Sequence, residues 1–274
     1  MQDRLESYGQ GDVPVAFAHA NGFPPGSYRQ FLDELSGRCT ITAYRQRPLW
    51  DASPPPRNLN WSLFADDLIE FIRHQFEQPV WMMGHSLGGA VSIIAAARHP
   101  ELFRGLILID PVIFRSRRTL GTKLAPRSRL KRLPAVRGAL RRPHHFESFE
   151  AAFDFYRGKR AFAKMSDSAL WDYVNASKVP QEQGGVALAY PGRWEAGVYA
   201  SPPWMWPRIV KLQAPTLALV AQDSDVLSPG VVKRWQRLQP SAEIQICPGG
   251  HLLPLERPEE SARRVLDFLD RQAG

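Results

Sequence analysis

The stretch PVWMMGHSLGGAVSIIAAARH, residues 79–99, decides the fold of this chain. Its first half is a short apolar run that is typical of a buried strand, and its second half is small and apolar at helical spacing. Between them lies the pentapeptide Gly84-His85-Ser86-Leu87-Gly88, a G-x-S-x-G motif. A serine on so tight a strand-to-helix turn exposes its hydroxyl, and the flanking glycines leave room for strand and helix to close around it. The stretch therefore predicts a nucleophilic serine at Ser86.

Alternating strands and helices extend outward from this motif in both directions. Further apolar runs that predict strands occupy 13–18, 40–44, 105–111, 214–220 and 242–247, and helical patterns lie between most of them. This alternation predicts an α/β fold with a mostly parallel central sheet covered by helices on both faces. The alternation stops at Pro111 and resumes at Ala214. We therefore expect residues 1–111 and 208–274 to form one core and residues 112–207 to form an inserted, mostly helical cap.

The net charge of +8 comes from one segment of the expected cap. Residues 115–142 contain eleven Lys and Arg residues and no Asp or Glu, so the rest of the chain carries about −3. A solvated face of the cap is the preferred interpretation, and attraction of an anionic substrate or lipid surface is the second. Nucleic acid is the least favoured partner, because no nucleic-acid-binding motif accompanies the charge. We expect the basic stretch on the outer or hinge side of the cap.

The remaining composition leads us to expect a cytoplasmic protein in a reducing environment. Cys39 and Cys247 are too few for a disulfide framework or a metal cluster, and both are expected as buried thiols. The N-terminal residues do not resemble a signal peptide, and no apolar run is long enough for stable insertion into a membrane. Neither a phosphate-binding loop nor a dinucleotide-binding glycine motif is present. The oligomeric state cannot be read from these features.

Four motifs in order make the chain resemble the α/β-hydrolase fold superfamily, in its serine esterase/lipase-like branch with an inserted cap. The stretch 19–23 (HANGF) follows the first strand, Ser86 lies at the turn, an acidic loop spans 222–229, and 249–258 (GGHLLPLERP) precedes the last helix. Serine, then acid, then histidine is the chain order of this fold. The resemblance implies a hydrolase that needs no cofactor and no metal.

The resemblance assigns Ser86 as nucleophile and His251 as the base that takes its proton. The spacing Asp-x-x-x-Pro favours Asp225 as the acid that orients His251. Asp223 and Asp110 are the alternative acids. His85 and His19 are expected to be structural.

Two backbone donors are expected to stabilise the oxyanion of the tetrahedral intermediate. The N–H of Leu87 supplies one, and either Asn21 or Phe23 supplies the other. Arg45 and Arg47 follow the strand predicted at residues 40–44. They are more consistent with bracing loops than with binding a substrate carboxylate.

The aromatic residues of the expected cap predict a substrate pocket. Some of Trp171, Trp194, Trp204 and Trp206, with Tyr199, are expected to roof an apolar pocket above Ser86. A small-molecule ester with an apolar acyl or alkyl group is the expected substrate, and hydrolysis through an acyl-enzyme is the expected reaction. A thioesterase, a C–C bond hydrolase, a perhydrolase, or a small-molecule receptor with little or no turnover would carry the same motifs.

Overall fold

A computed structural model describes residues 4–273, except for the side chains of residues 118, 123 and 127. Seven strands form the central sheet: β1 (Leu5–Tyr8), β2 (Val13–Ala18), β3 (Cys39–Tyr44), β4 (Val80–His85), β5 (Phe103–Ile109), β9 (Thr216–Ala221) and β10 (Glu243–Cys247). Their spatial order is β1-β3-β2-β4-β5-β9-β10, and all neighbours are parallel except β1 and β3. The predicted α/β fold is confirmed.

Helices cover both faces of the sheet. Those that connect or follow the sheet strands are α1 (Arg29–Leu35), α2 (Ser62–Gln75), α3 (Leu87–Arg98), α11 (Pro229–Leu238), α12 (Leu253–Glu256) and α13 (Pro258–Ala273). Within residues 4–273, no helix is both long and apolar enough to cross a bilayer.

The central strands read as unbroken apolar runs because both of their faces are buried. In β5, Leu106 and Leu108 point into one hydrophobic cluster, while Ile107 and Ile109 point into the other. The first cluster packs against α2 and α3, and the second against α1 and α13. The sheet is thereby held rigidly between two apolar layers, and the residues at its carboxyl edge occupy defined positions.

The first strand, β1, was not predicted from the sequence. Residues 5–8 pair antiparallel with β3 at the edge of the sheet, with Leu5 opposite Tyr44. Edge strands are short and half-exposed, so they lack the apolar run that marks a central strand.

The segment between β5 and β9 is mostly helical, as expected, but it also contains a small sheet. Its helices are α4 (Ser116–Leu124), α5 (Arg127–Leu130), α6 (Pro134–Arg141), α7 (Phe149–Arg157), α8 (Asp167–Ser177), α9 (Gly192–Ala200) and α10 (Trp206–Ile209). Three antiparallel strands lie among them in the order β6-β8-β7, with the ranges β6 (His145–Phe146), β7 (Lys178–Pro180) and β8 (Val186–Leu188). Strands of two or three residues are too short to show alternating hydrophobicity. The division at 112 and 207 remains a prediction.

Both cysteines are buried free thiols, as expected. Cys39 begins β3 and Cys247 ends β10, and burial raises the pKa of each thiol. A raised pKa disfavours the reactive thiolate at neutral pH, which fits a structural role.

Candidate active site

Ser86 lies on a strained turn between β4 and α3. Its backbone has φ 54° and ψ −113°, outside the regions that non-glycine residues prefer. The turn is held by the N–H of Ser86, which donates to the Ile109 carbonyl of the neighbouring strand at 3.0 Å. A Cβ at Gly88 would lie 2.0 Å from the Ala18 carbonyl oxygen, so this position has to be glycine. Strain of this kind is common at functional sites, where surrounding structure maintains it.

A continuous chain of hydrogen bonds runs from Ser86 through His251 to Asp110. The Ser86 Oγ lies 2.9 Å from Nε2 of His251, and the other ring nitrogen, Nδ1, lies 2.7 Å from Oδ2 of Asp110. Ser86 is nearly buried and Asp110 is fully buried, while His251 is partly exposed. An imidazole between a hydroxyl and a carboxylate can accept the hydroxyl proton and remain oriented while it is charged. The structure thus brings together Ser86 and His251 as predicted.

The structure corrects the prediction that Asp225 is the acid beside His251. Asp110, one of the two alternatives, holds that position, while Asp225 is exposed in the loop after β9. The other alternative, Asp223, is also exposed and forms an ion pair of 2.6 Å with Lys164.

The reason is the position of Asp110 within the sheet. It directly follows β5, which pairs with the Ser86 strand β4 on one side and with β9 on the other. Its Oδ1 accepts from the backbone N–H of Ala221 at 3.0 Å, and its Oδ2 accepts from the Ser224 hydroxyl at 2.7 Å. The loop that carries Asp225 therefore supports the carboxylate of Asp110 instead of providing its own.

Two residues that line the cavity above Ser86 have unpaired backbone N–H groups. Among residues 4–273, no acceptor bonds the backbone N–H of Leu87 or of Asn21, and both residues line the same cavity as Ser86. Leu87 is also the first residue of α3, where the helix dipole favours negative charge. The predicted alternative Phe23 is wrong as a donor, because its N–H is already bonded to the Ala20 carbonyl at 3.1 Å. Two free N–H groups that line the same cavity as a serine hydroxyl can stabilise an oxyanion formed there.

The segment between β5 and β9 holds Asn21 in place. The Asn21 side-chain amide donates to the Glu195 carbonyl at 3.2 Å, and its oxygen accepts from the Tyr190 hydroxyl at 2.8 Å. Glu195 itself forms a buried ion pair with Arg142, which is the one partly buried arginine of the basic stretch with a described side chain. Sequence patterns could not indicate these partners, because they lie more than 160 residues from Asn21.

A second relay of hydrogen bonds links the Asn21 loop to the backbone of His251. The Tyr28 hydroxyl accepts from the Ala20 N–H at 3.0 Å and donates to Nδ1 of His85 at 2.7 Å. His85 Nε2 carries the ring hydrogen, since it lies 2.8 Å from the carbonyl oxygen of His251. His85 is structural in this geometry, as expected. Tyr28 was predicted only as part of an apolar helix face, and nothing in the sequence separates it from an ordinary core residue.

Two histidines of the site are neutral because they are buried. Burial lowers the pKa of His19 to about 4 and that of His85 to about 3, with the nearby His251 lowering the latter further. His19 bonds the Ala20 carbonyl through Nδ1 and the Gln46 N–H through Nε2, which satisfies both nitrogens without a charge.

These two neutral imidazoles predict a loss of stability in mild acid. The unfolded chain takes up both protons near the ordinary pKa of 6.5, whereas the folded protein takes them up only near pH 4 and 3. Stability is therefore complete above pH 6.5 and falls as pH decreases, because the unfolded state binds more protons. We expect the free energy of unfolding to drop by about 2–4 kcal/mol between pH 7.5 and pH 5. Urea denaturation at both pH values measures this.

The control for that experiment is an exposed histidine. His144→Gln should leave the pH dependence unchanged, whereas His19→Gln should flatten it whatever it does to stability at pH 7.5. A stability that is constant from pH 7.5 to pH 5 would contradict the assignment of neutral buried histidines.

A cavity of about 550 Å³ opens above Ser86. Its walls are mainly apolar, with side chains from the core and from the segment between β5 and β9. The lining residues include Phe23, Trp61, Val112, Phe114, Leu133, Pro134, Ala135, Val198, Tyr199, Val226 and Leu252. An apolar cavity of this size suits a small molecule with an alkyl or acyl group.

The prediction that tryptophans of the inserted segment roof this cavity is wrong, although Tyr199 does line it. Trp194 donates from Nε1 to the Ser53 carbonyl, and Trp206 lies beneath the guanidinium of Arg234. Trp171 stacks on the ring of Phe153 at 4.5 Å, and Trp204 is about half exposed. Composition cannot distinguish tryptophans that pack elements together from tryptophans that line a pocket.

The arginines after β3 brace loops, which is the role that the sequence analysis favoured for them. Arg47 bonds Asp67 of α2 and Asp51, and Arg45 forms a longer ion pair with Glu6. Within the described part of the chain, no group of three or more His, Cys, Asp or Glu residues could hold a metal ion.

The sequence comparison identifies the class of protein that this fold and site define. A model of the alpha/beta hydrolase family matches residues 15–264. The chain belongs to this family and is a hydrolase.

Relatives within the family differ in what they hydrolyse. The chain is 22% identical over 264 residues to 2-(acetamidomethylene)succinate hydrolase of Mesorhizobium japonicum, covering 95% of this chain and 90% of that protein. It is 31% identical over 133 residues to a type I acyl-CoA thioesterase of Penicillium brevicompactum, covering 41% and 30%. A crystal structure of E-2-(acetamidomethylene)succinate hydrolase superposes with a TM-score of 0.79 at 22% identity, covering 97% of this chain and 94% of that one. A thioesterase domain from the curacin biosynthetic pathway gives a TM-score of 0.74 at 17% identity, covering 96% and 94%.

Proposed function

We propose that the protein hydrolyses carboxylic esters through an acyl-enzyme, with Ser86 as nucleophile, His251 as general base and Asp110 as the orienting acid. The observation that carries this proposal is the unbroken hydrogen-bond chain of 2.9 Å and 2.7 Å between these three side chains. In this proposal Asp110 takes the place of Asp225, and Ser86 and His251 keep the roles expected from the sequence.

The proposed reaction proceeds in two halves. His251 takes the proton of Ser86 as the Oγ attacks the ester carbonyl, and the N–H groups of Leu87 and Asn21 bind the resulting oxyanion. His251 then passes this proton to the departing alcohol, which leaves an acyl group on Ser86. Water enters, gives a proton to His251 and attacks the acyl carbonyl. Collapse of the second intermediate returns that proton to Ser86 and releases the acid.

The segment 112–207 is proposed as the cap that selects the acyl group. It contributes Leu133, Ala135, Val198 and Tyr199 to the cavity above Ser86. Burial of apolar surface favours binding by roughly 25 cal/mol per Å², so a longer acyl chain gains affinity until the cavity is filled. Within the basic stretch 115–142, seven of the eight basic residues with described side chains are exposed, which fits the outer position expected for them.

A chain-length series tests the proposal. With p-nitrophenyl esters from acetate to dodecanoate, kcat/KM should rise at least tenfold from acetate to octanoate, since about 0.8 kcal/mol is available for each buried methylene group. Ala135→Trp, which reduces the cavity, should move the optimum to shorter chains. Ala163→Trp, an exposed alanine elsewhere in the same segment, should not. Equal kcat/KM for acetate and octanoate would contradict an acyl-binding cavity.

Labelling followed by turnover separates an enzyme from a receptor on the same fold. A fluorophosphonate should label Ser86, and the unlabelled protein should complete many turnovers of p-nitrophenyl octanoate. Labelling without turnover would favour a receptor. A thioester would present the same acyl carbonyl to Ser86 as an ester does, and the two differ only in the leaving group.

A further inference from the structure

A second depression, of about 740 Å³, adjoins the cavity above Ser86. Thr122 and Pro202 line both, so the two spaces lie side by side. Its walls come from the loop at 55–60, from residues 122–140 and from residues 193–208. We call this depression the basic groove.

The basic groove is lined by four cationic side chains and, among its described lining residues, by no acidic one. The cations are Arg57, Lys131, Arg193 and Arg208. Within residues 4–273, Lys131, Arg193 and Arg208 form no ion pair with a carboxylate. A concave surface with one sign of charge concentrates the field and attracts ligands of opposite sign.

Two of these arginines are held in position by backbone carbonyls. Arg193 donates to the Ala52 carbonyl at 3.1 Å, and Arg208 donates to the Trp204 carbonyl at 2.6 Å. Neutral partners orient a guanidinium and leave its charge uncompensated, so the remaining N–H groups are suited to a phosphate. Partial burial and the neighbouring Arg98 lower the pKa of Arg208.

The groove also offers an exposed aromatic surface. Trp204 is 48% exposed and lines the groove, although tryptophan is normally well buried. Indole rings stack on nucleobases, and such stacking is independent of base identity. A cluster of cations beside an exposed indole therefore matches a ligand that carries both phosphate and a flat ring.

We propose that the basic groove binds a phosphorylated leaving group while the acyl chain occupies the cavity above Ser86. This rests on the proposed acyl-enzyme reaction. The acyl group has to stay at Ser86 until water enters, so the apolar cavity suits it, whereas the leaving group departs first and fits the groove beside it. The nucleotide part of an acyl-coenzyme A thioester combines phosphate and an aromatic base, and is the leaving group whose chemistry fits best. A flat membrane surface fits less well, because the cations line a concavity.

Matched substrate pairs test this. Octanoyl-coenzyme A is compared with octanoyl-pantetheine, and 1-octanoylglycerol 3-phosphate with 1-octanoylglycerol. In each pair only the first member carries phosphate, and the two pairs distinguish a nucleotide from a glycerophosphate leaving group. We expect KM for octanoyl-coenzyme A to be at least fivefold lower than that for octanoyl-pantetheine, and the difference to shrink as salt concentration rises.

Charge-reversal variants locate the effect. Arg193→Glu and Lys131→Glu should each reduce the advantage of the phosphorylated member at least fivefold. Trp204→Ala should reduce it for coenzyme A and leave the glycerophosphate pair unaffected. Arg160→Glu, an exposed arginine of the same segment outside the groove, is the matched control and should change neither pair.

The outcomes are distinguishable from failure of the proposed function. If the wild type hydrolyses no member of either pair, ester hydrolysis itself fails, and calorimetric titration of coenzyme A into Ser86→Ala then tests the groove without turnover. Hydrolysis of the phosphorylated members alone would be the largest phosphate advantage and would support the groove. Binding that Arg193→Glu weakens supports the groove. If neither pair shows a lower KM for its phosphorylated member, the proposed role of the groove is wrong. It is also wrong if the groove variants reduce kcat/KM equally for both members of a pair. Sedimentation with phosphatidylglycerol vesicles that depends on Arg193, without a phosphate advantage, assigns the groove to a membrane surface instead.

Discussion

Ser86→Ala should lower kcat for p-nitrophenyl octanoate by roughly three to six orders of magnitude, as removal of a member of a serine triad does. The hydroxyl is bonded to Nε2 of His251, and Ser86 lines the same cavity as Leu87 and Asn21, whose backbone N–H groups are unpaired. Without it, neither the acyl-enzyme nor its proton transfer can form. Burst and steady-state kinetics with p-nitrophenyl octanoate measure the loss.

The matched control for Ser86→Ala is Ser92→Ala. Ser92 lies on the same helix, α3, and its buried hydroxyl only bonds the Gly88 carbonyl. Its replacement should cost modest stability, about 1 kcal/mol, and leave kcat within a few fold. Ser86→Ala should unfold at nearly the wild-type temperature. Wild-type turnover in a folded Ser86→Ala protein would end the assignment of the nucleophile.

Asp110→Asn should lower kcat by about three to four orders of magnitude, the effect expected when the orienting carboxylate of a triad becomes an amide. The Oδ2 atom of Asp110 receives the Nδ1 hydrogen of His251 at 2.7 Å and so selects the tautomer whose Nε2 can accept from Ser86. An amide can present its NH2 group there, which reverses the preferred tautomer. Turnover of p-nitrophenyl octanoate across pH 6–9 measures the loss.

Asp225→Asn and Asp223→Asn are the matched controls for Asp110→Asn. Both side chains are exposed, and Asp223 is occupied by its ion pair with Lys164. We expect each to keep kcat within about fivefold of the wild type, because neither carboxylate bonds His251 and the exposed ion pair of Asp223 contributes little. If Asp225→Asn were the crippling change and Asp110→Asn retained activity, the geometry at His251 would not be that of the working enzyme. Thermal melts of all three variants show whether any loss is due to unfolding.

The local pattern of the chain was sufficient for the fold and for two of the three proposed triad residues. The G-x-S-x-G turn at Ser86 is a local device, since the strand, the glycines and the helix that produce it lie within residues 79–99. The central strands were predicted for the same reason, because a strand that is buried on both faces is a continuous run of apolar residues. His251 was found by its place before the last helix.

What depends on contacts between distant parts of the chain was decided by the tertiary structure. Asp110 and Asp225 both follow apolar strands, and only the order of β4, β5 and β9 in the sheet brings the carboxylate of Asp110 to the ring of His251. The N–H of Phe23 is an exception, because it is removed as a donor by a local turn that Asn21 and Gly22 favour and that the sequence analysis did not use.

The cavity above Ser86 likewise depends partly on local sequence and partly on tertiary contacts. The aromatic content of residues 112–207 correctly indicated a packed segment, but which rings pack and which line the cavity depends on how its helices dock on the core. Sequence by itself determined where the central strands, the helices beside them and the nucleophilic turn lie, because these follow from the periodicity of neighbouring residues, whereas β1 and the short strands β6, β7 and β8 carry no such pattern. Only the tertiary structure decided which carboxylate, which N–H groups and which rings meet at Ser86, because those partners come together through the crossovers of the parallel sheet and not through sequence spacing.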